Sequence, residues 1–381
     1  MTGHNDIRIL TSEAVQLLRE MIAVPSPSFS ESAVCSHISG WMKSKGIIHQ
    51  RKGNNLIAAH IADPAKPVLM LCAHIDTVEP SPEYDFDPYE PDYSAASEII
   101  GRAQGTQCGP DDIVAGLGSN DDGASAVAMT AAYRHLMHED TNIVLVLTCE
   151  EERSGKGGMT GLWGSMLCSR EKPVEGGIHI DMAIVGEPTG MKAATSERGL
   201  LVIDATAHGV SGHAARNEGC NALYIAMEDI QRLRNHKFTR VSPLMGNVNL
   251  NVTQINAGSA HNVIPDRCDF VIDIRPTEQY TNEEILEELQ SICQSSLRAR
   301  NLSNRSSASR EDSPLVKAAA RTGTDTFSSP TTSDWMRIDC DAVKMGPGES
   351  SRSHRKNEFV FVEEIEEGIR KYIEFIKNLN F

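Results

Sequence analysis

The chain has 381 residues and a net charge of −16, with 40% hydrophobic and 23% charged residues. This composition is typical of a folded globular protein long enough for two domains, and the negative charge argues against a nucleic-acid partner, which needs basic surfaces. Nine cysteines are scattered without a CxxC pair, and neither a signal peptide nor an apolar run of transmembrane length occurs, so we expect a cytoplasmic protein with no membrane partner.

Continuous apolar runs and amphipathic helices predict an α/β domain for the outer parts of the chain. Strands that are apolar on both faces belong to largely parallel sheets that helices cover on both sides. We therefore expect a mainly parallel, mixed sheet with helices on both faces. The predicted elements are a helix capped by Ser12 and ending near Ala23, a strand over 66–78, a helix over 123–137, strands over 141–150 and 182–186, and a helix over 362–379.

The middle of the chain has a different pattern. Residues 199–209 and 269–275 alternate apolar and polar side chains, as strands with one open face do. Together with helices over 221–233 and 282–297 and a strand over 248–258, they predict an α+β, ferredoxin-like unit. The α/β pattern then resumes, so we interpret this unit as an inserted domain. The predicted boundaries are 1–192 and 303–381 for the two parts of the α/β domain and 193–302 for the insertion.

Side chains that bind metal follow the predicted strands. Because ligands bind outside the carboxyl ends of strands in open α/β sheets, we expect these groups to converge at one edge. A mixture of imidazoles and carboxylates suits zinc, cobalt or manganese, whereas magnesium and calcium favour oxygen ligands alone. Two such ions would neutralise the cluster. The groups are His74 and Asp76, then Asp121 and Asp122, then Glu150, Glu151 and Glu152, then Glu187, and finally His354.

The motifs resemble those of the di-zinc M20 metallopeptidase and deacylase family, in the same order and over essentially the whole chain. They are HID at 74–76, GLGSND at 116–121, CEEE at 149–152, GEP at 186–188 and a late histidine at 354. The inserted unit resembles that family's lid and dimerisation domain. The local sequences are most similar to the branch of Bacteroidetes-type acetylornithine and acylcitrulline deacetylases.

The resemblance implies two Zn²⁺ ions per subunit, for which Co²⁺ or Mn²⁺ can substitute. It makes His74 a ligand of one ion and His354 a ligand of the other. Asp121 would bridge both ions, and Glu152 and Glu187 would complete the two coordination spheres.

The resemblance also assigns the groups that act beside the metals. Asp76 would orient His74, and Glu151 would be the general base that moves a proton from water to the leaving amine. Glu150 stands where the family usually has Asp, and we expect it to be solvated or to support the ligands. Asp122 replaces the family's usual Met, so it is an alternative bridging carboxylate.

In the inserted domain, His213 resembles the family histidine that reaches the partner subunit's active site and stabilises the tetrahedral oxyanion. Asn262 and Arg275 match positions that touch substrate in relatives. For Asn262 the alternative is a turn residue, and for Arg275 it is a surface ion pair. The resemblance therefore implies a homodimer formed through this domain.

These residues predict a metal-dependent amidohydrolase acting on a small N-acyl amino acid. We expect removal of an acetyl or succinyl group from N-acyl-ornithine or N-acyl-citrulline in arginine biosynthesis. The alternatives are a succinyl-diaminopimelate desuccinylase, an M20 dipeptidase, or a non-catalytic relative that binds metal or peptide. Arg352 and Arg355, beside His354, are either partners for a succinyl carboxylate or surface cations.

Overall fold

The computed structural model describes residues 2–216 and 218–379, with only the backbone for residues 2–5. The chain forms two compact units. The first comprises residues 1–195, 309–327 and 333–381, and the second comprises residues 196–308 and 328–332. No helix within residues 2–216 or 218–379 is long and apolar enough to cross a membrane.

The helices and strands are numbered here in chain order. The helices are α1 (Thr2–Ile22), α2 (Ser32–Ser44), α3 (Tyr93–Gln104), α4 (Gly123–Leu136), α5 (Met159–Leu162), α6 (Ala222–Asn235), α7 (Asn282–Ile292), α8 (Pro314–Thr322) and α9 (Val362–Lys377). The strands are β1 (Gln50–Lys52), β2 (Asn55–His60), β3 (Leu69–His74), β4 (Ile113–Ala115), β5 (Ile143–Thr148), β6 (Leu167–Cys168), β7 (Ile178–His179), β8 (Met182–Val185), β9 (Ala193–Glu197), β10 (Leu201–His208), β11 (Gly212–His213), β12 (Asn249–Ala257), β13 (Val263–Ile264), β14 (Arg267–Arg275), β15 (Ser296–Ala299), β16 (Ser307–Ala308), β17 (Thr326–Ser329), β18 (Asp341–Lys344) and β19 (Phe359–Phe361).

The sheet of the first unit has the order β1-β2-β5-β3-β8-β18-β9. Its centre, β5-β3-β8-β18, is parallel, whereas β2 and β9 join antiparallel at either side. The carboxyl ends of the four central strands therefore lie at one edge of the sheet. The predicted fold class, a mainly parallel mixed sheet with an inserted α+β domain, is confirmed.

Both faces of this sheet are buried, as the continuous apolar runs predict. On β3, Leu69 and Leu71 pack in the core formed with α1, α4 and α9. Met70 and Cys72 face the opposite way and pack in a second core with α5 and Trp335. Burying apolar surface on both faces contributes roughly 25 cal/mol per Å², which stabilises the strands that carry the site.

The predicted start of the first helix is wrong. The first helix begins at Thr2 rather than after a cap at Ser12. Leu10 is buried and Ile7 packs against the same core, so the apolar face of the helix extends from Ser12 toward the N-terminus. Tertiary packing overrides the local capping signal.

The second unit contains a four-stranded antiparallel sheet with the order β12-β14-β10-β15. Along β10, Leu201, Ile203, Ala205 and Ala207 alternate with more exposed residues, so one face packs against α6 and α7. The predicted helix over 282–297 is too long, because α7 ends at Ile292 and Ser296–Ala299 pair with β10 instead.

Candidate metal centre

The carboxyl-terminal ends of β3, β5, β8 and β18 and the start of α4 bring the predicted ligands together. His74 is the last residue of β3, Glu152 follows β5, and Glu187 follows β8. Asp121 lies two residues before α4, and His354 lies on the loop between β18 and β19. Sheet register therefore sets three of these five positions, and loops set the other two.

The Asp121 carboxylate lies between the two histidines. Its Oδ1 is 3.3 Å from Nε2 of His74, and its Oδ2 is 3.6 Å from Nε2 of His354. Nε2 of His354 is also 3.0 Å from the carboxylate of Glu152. Each oxygen of one carboxylate thus faces one imidazole, which is the arrangement that a bridging ligand between two ions requires.

Two groups of side chains place one ligand atom each within 4.8 Å of one another. They are His74, Asp121 and Glu152, and His74, Glu151 and Glu187. Asp122 is in neither group, although it is buried next to Asp121 and burial raises its pKa to about 8. Within residues 2–216 and 218–379, the geometry therefore favours Asp121 over Asp122 as the bridge.

The electrostatics of the cluster fit a bound cation. Burial, with the charges of neighbouring carboxylates, holds the pKa of both Glu151 and Glu187 well above its usual range. The hydrogen bond with Glu152 raises the pKa of His354 to about 9. Burial lowers the pKa of His74, but Asp121 and Asp76 outweigh that effect and hold it well above 6.5. Divalent ions would offset the repulsion among these carboxylates.

Asp76 supports the site through several contacts. Its backbone carbonyl is 3.0 Å from Nδ1 of His74, and its carboxylate is 3.5 Å away. The sequence predicts the carboxylate as the orienting group, whereas the carbonyl is the closer acceptor. The carboxylate instead accepts the backbone N–H groups of Glu151 and Glu152 and the hydroxyl of Ser28. Asp76 thereby fixes both the imidazole and the turn that carries two of the glutamates.

Glu150 turns away from the cluster. Its backbone has a φ of +60°, and its carboxylate accepts the N–H of Gly157 at 2.7 Å. A Cβ atom on Gly157 would lie 2.3 Å from that carboxylate, so any other residue there would displace the Glu150 side chain. The first glutamate of the CEEE motif therefore closes the loop over 150–157 rather than entering the site.

Of the three predicted residues of the second unit, His213 and Asn262 lie on or beside the small ladder of β11 and β13, whereas Arg275 is the last residue of β14. His213 is exposed and pairs in register with Val263, and the carbonyl of Asn262 accepts the N–H of Ala214. Arg275 makes a bidentate ion pair with Asp273 on β14. The surface ion pair, the alternative for Arg275, is the contact that the structure shows, and Asn262 lies in a turn.

Arg352 and Arg355 differ in their contacts. Arg352 pairs with Glu364 at 2.6 Å and stacks over Phe359 and Phe361. Arg355 is exposed and has no ion pair or hydrogen bond within the described part of the chain. The contacts of Arg352 therefore stabilise its loop, and of these two arginines only Arg355 is available to a ligand.

Sequence reasoning missed several buried polar residues that support the site. Asp334 accepts the hydroxyl of Thr148 at 2.7 Å beneath the end of β5, and burial raises its pKa to about 6. Burial raises the pKa of Glu187, and the positive charge of Lys344 on β18, itself buried, partly offsets that rise. A lysine inside an apolar strand was a usable signal, but nothing distinguished Asp334 from a surface residue. Asn120 and Glu358 were missed for the same reason.

Comparison with known proteins identifies two family models. Residues 195–301 match the peptidase dimerisation domain of M20 proteins, and residues 55–242 match peptidase family M28. The crystal structure of the YxeP protein of Bacillus subtilis, a dinuclear metal-binding peptidase of the M20 family, has a TM-score of 0.66 at 14% identity. The alignment covers 97% of this chain and 98% of that one. The chain thus has the fold of M20 peptidases and contains their dimerisation domain.

Two curated relatives have similar sequences. The acetylornithine deacetylase of Myxococcus xanthus is 29% identical over 58% of this chain and 61% of its own length. The succinyl-diaminopimelate desuccinylase of Corynebacterium glutamicum is 29% identical over 68% of this chain and 64% of its own length. The match thus spans less than two thirds of either relative.

Proposed function

We propose that this chain is an M20-type, metal-dependent amidohydrolase that removes an acetyl or succinyl group from N-acyl-ornithine or N-acyl-citrulline, a step of arginine biosynthesis. The observation that carries the hydrolase proposal is the Asp121 carboxylate facing His74 and His354 at once. The inserted dimerisation domain favours the M20 over the M28 family. The similarity to an acetylornithine deacetylase supports the substrate class.

The side chains fit two zinc ions, with Co²⁺ or Mn²⁺ as substitutes. His74, Asp121 and Glu187 would hold one ion, and Asp121, Glu152 and His354 the other. Bound there, such ions would polarise the scissile carbonyl and lower the pKa of water. Two nitrogen and several oxygen donors suit these metals better than magnesium or calcium.

Glu151 is the proposed general base. Asp76 fixes its backbone through a 3.0 Å hydrogen bond, and its side chain lies in the group with His74 and Glu187. It would take a proton from the attacking water and deliver it to the nitrogen of the leaving amine as the amide bond breaks. Burial raises the pKa of Glu151, which is the direction of shift that acid–base catalysis by a carboxyl group near neutral pH requires.

The second unit would complete the site in a homodimer. His213 is the proposed donor to the oxyanion, and Asn262 and Arg275 would contact substrate, with Arg275 first releasing Asp273. The strand β12 is largely exposed along one edge of its sheet, and Tyr224 and Met227 on α6 are 63% and 55% exposed. An unpaired edge and exposed apolar side chains are typical of an interface.

The substrate is tested by measuring the release of free amine. Purified protein would be assayed with N-acetyl- and N-succinyl-forms of ornithine and citrulline, with N-succinyl-diaminopimelate and with dipeptides, each with zinc and with a chelator. We expect zinc-dependent hydrolysis of one acyl-ornithine or acyl-citrulline. Faster hydrolysis of the diaminopimelate substrate or of dipeptides would support the alternative enzymes, and no hydrolysis at all would support a binding protein.

A further inference from the structure

Two buried polar side chains connect the loop that carries Asp121 with the loop that carries His354. They are Asn120, which is 0% exposed, and Glu358, which is 2% exposed. Neither belongs to the groups that could hold a metal within residues 2–216 and 218–379. Burying an amide and a carboxyl group costs free energy unless hydrogen bonds compensate, so their contacts indicate what they do.

Glu358 binds the backbone of the first loop. Its Oε1 accepts the N–H groups of Asn120 and Asp121, both at 2.9 Å. One oxygen therefore fixes two successive peptide groups, including the one that carries the carboxylate between the histidines. Because Glu358 lies only four residues after His354, the second loop directly sets the backbone position of Asp121.

Asn120 binds the backbone of the second loop in return. Its Oδ1 accepts the N–H of Glu349 at 2.9 Å, and its Nδ2 donates to the carbonyl of Glu349 at 3.1 Å. Nδ2 also lies 3.4 Å from the hydroxyl of Ser353, the residue before His354. A single amide group thus satisfies both backbone polar groups of one residue and reaches the neighbour of a proposed ligand.

Gly348 makes this approach possible. Its φ is +82°, and a Cβ atom there would lie 2.4 Å from Oδ1 of Asn120. Any side chain at position 348 would push Asn120 away from Glu349. In the sequence MGPGES at 345–350, Gly348 is therefore needed for two reasons. It adopts the positive φ of the turn, and it leaves room for the side-chain amide of Asn120.

We propose that Asn120 and Glu358 are positioning residues that set the distance between Asp121 and His354. We call their reciprocal hydrogen bonds the loop clasp. The inference rests on the proposed metal centre and adds residues that would never touch metal or substrate. Loss of the clasp would move Asp121, which faces both histidines, but His74 is fixed at the end of β3. The ion held by His354, which itself lies on a loop, should therefore be affected most. Loss of the clasp should weaken the binding of that ion and lower kcat, with little change in KM.

The test is zinc binding measured by competition with a chromophoric chelator. Asn120→Ala, Glu358→Leu and Gly348→Ala each break the clasp, whereas Glu358→Gln keeps one acceptor oxygen. Asn142 provides a matched control, because it is 1% exposed and its amide also binds a loop backbone, at the opposite end of β5. Gly46→Ala is the control for Gly348→Ala, since Gly46 has a φ of +74° and no atom near its added Cβ.

We expect wild-type protein to bind two zinc ions per chain and the three clasp variants to bind one of them at least tenfold more weakly. Glu358→Gln should lose less zinc affinity than Glu358→Leu. The control variants Asn142→Ala and Gly46→Ala should bind both ions as wild type does. Unchanged binding of both ions in the clasp variants, or an equal loss in Asn142→Ala, would overturn the proposal. Wild-type protein that binds no zinc would instead overturn the proposed function, and the clasp with it.

Discussion

The two halves of the candidate metal centre differ in burial and in what holds them. His74 ends a strand that pairs with β5 and β8 on both sides, and its side chain is 3% exposed. His354 has a φ of +57° on a loop, and its side chain is 55% exposed. The sheet and the core define the first half, whereas hydrogen bonds between loops define the second. Substitutions in the second half can therefore change the site with a smaller change in stability.

The largest expected effect concerns the buried half. Glu151→Gln removes the proposed base but keeps the size of the side chain and the backbone hydrogen bond to Asp76. We expect kcat to fall by about 10²–10⁴-fold with two zinc ions still bound, as measured by amine release and elemental analysis. A variant with wild-type turnover would exclude Glu151 as the base.

The second prediction concerns the pH dependence of stability. The folded pKa of Asp334 is raised from 3.8 to about 6, so its contribution to stability is fully present below pH 4 and is lost as the pH rises through 6. Over this window the loss amounts to about 3 kcal/mol. In urea unfolding, the free energy of unfolding of Asp334→Asn relative to that of wild type should therefore rise by about 3 kcal/mol between pH 4 and pH 7.

Asp229 provides the control for that experiment. Its side chain is buried; burial raises its pKa, but hydrogen bonds from Ser295 and Gln294 outweigh this and lower it. Its contribution to stability is present above the unfolded pKa and is lost as the pH falls. Asp229→Asn should thus lose stability relative to wild type as the pH rises. The same sign of change in both variants would contradict the assignment.

The third prediction compares the two histidines directly. In the presence of chelator, His74→Ala should lower the free energy of unfolding by about 2 kcal/mol, because it leaves a cavity beside the buried Asp76 and Asp121. His354→Ala should change it by less than about 0.5 kcal/mol. Each variant should bind fewer zinc ions than wild type. Equal costs in denaturant unfolding would show that burial does not distinguish the halves.

The smallest expected effect separates the two arginines of the exposed half. Arg352→Met removes an ion pair and two cation–π contacts, and we expect it to cost about 1 kcal/mol in thermal or urea unfolding. Arg355→Met should be neutral within about 0.5 kcal/mol. An increase in KM for N-succinyl but not N-acetyl substrates in Arg355→Met would show that this cation binds the acyl carboxylate.

The sequence predicted the sheet half of the site better than the loop half. Residues 68–73 and 143–147, ahead of His74 and Glu150, are apolar at every position. Parallel pairing brings the ends of these strands to one edge without further information. Order along the chain also indicated the inserted domain. The predicted helix boundaries at Ser12 and Leu297 were wrong, because core packing and strand pairing decide them rather than local propensity.

The loop half depends on contacts between residues far apart in sequence. Asn120 and Glu349 are more than two hundred positions apart, and no periodicity or motif links them. Asp334 and Thr148 are 186 positions apart, and no periodicity or motif links them either. Glu150 shows the converse case, because a charged residue inside a strong motif serves the backbone of its own loop. Long-range hydrogen bonds from a side chain to the backbone leave no recognisable pattern in a single sequence, so they could not be predicted.

The position of β18 has a consequence for synthesis on the ribosome. This strand pairs with β8 across more than 150 intervening residues, and the segment after it supplies His354 and Glu358. Until it emerges, the growing chain has an open, apolar sheet edge at β8 beside an insertion that already has its own core. The nascent polypeptide is therefore most exposed to aggregation before residues 341–344 emerge, and the residues of the proposed metal centre are all present only once His354 has been made.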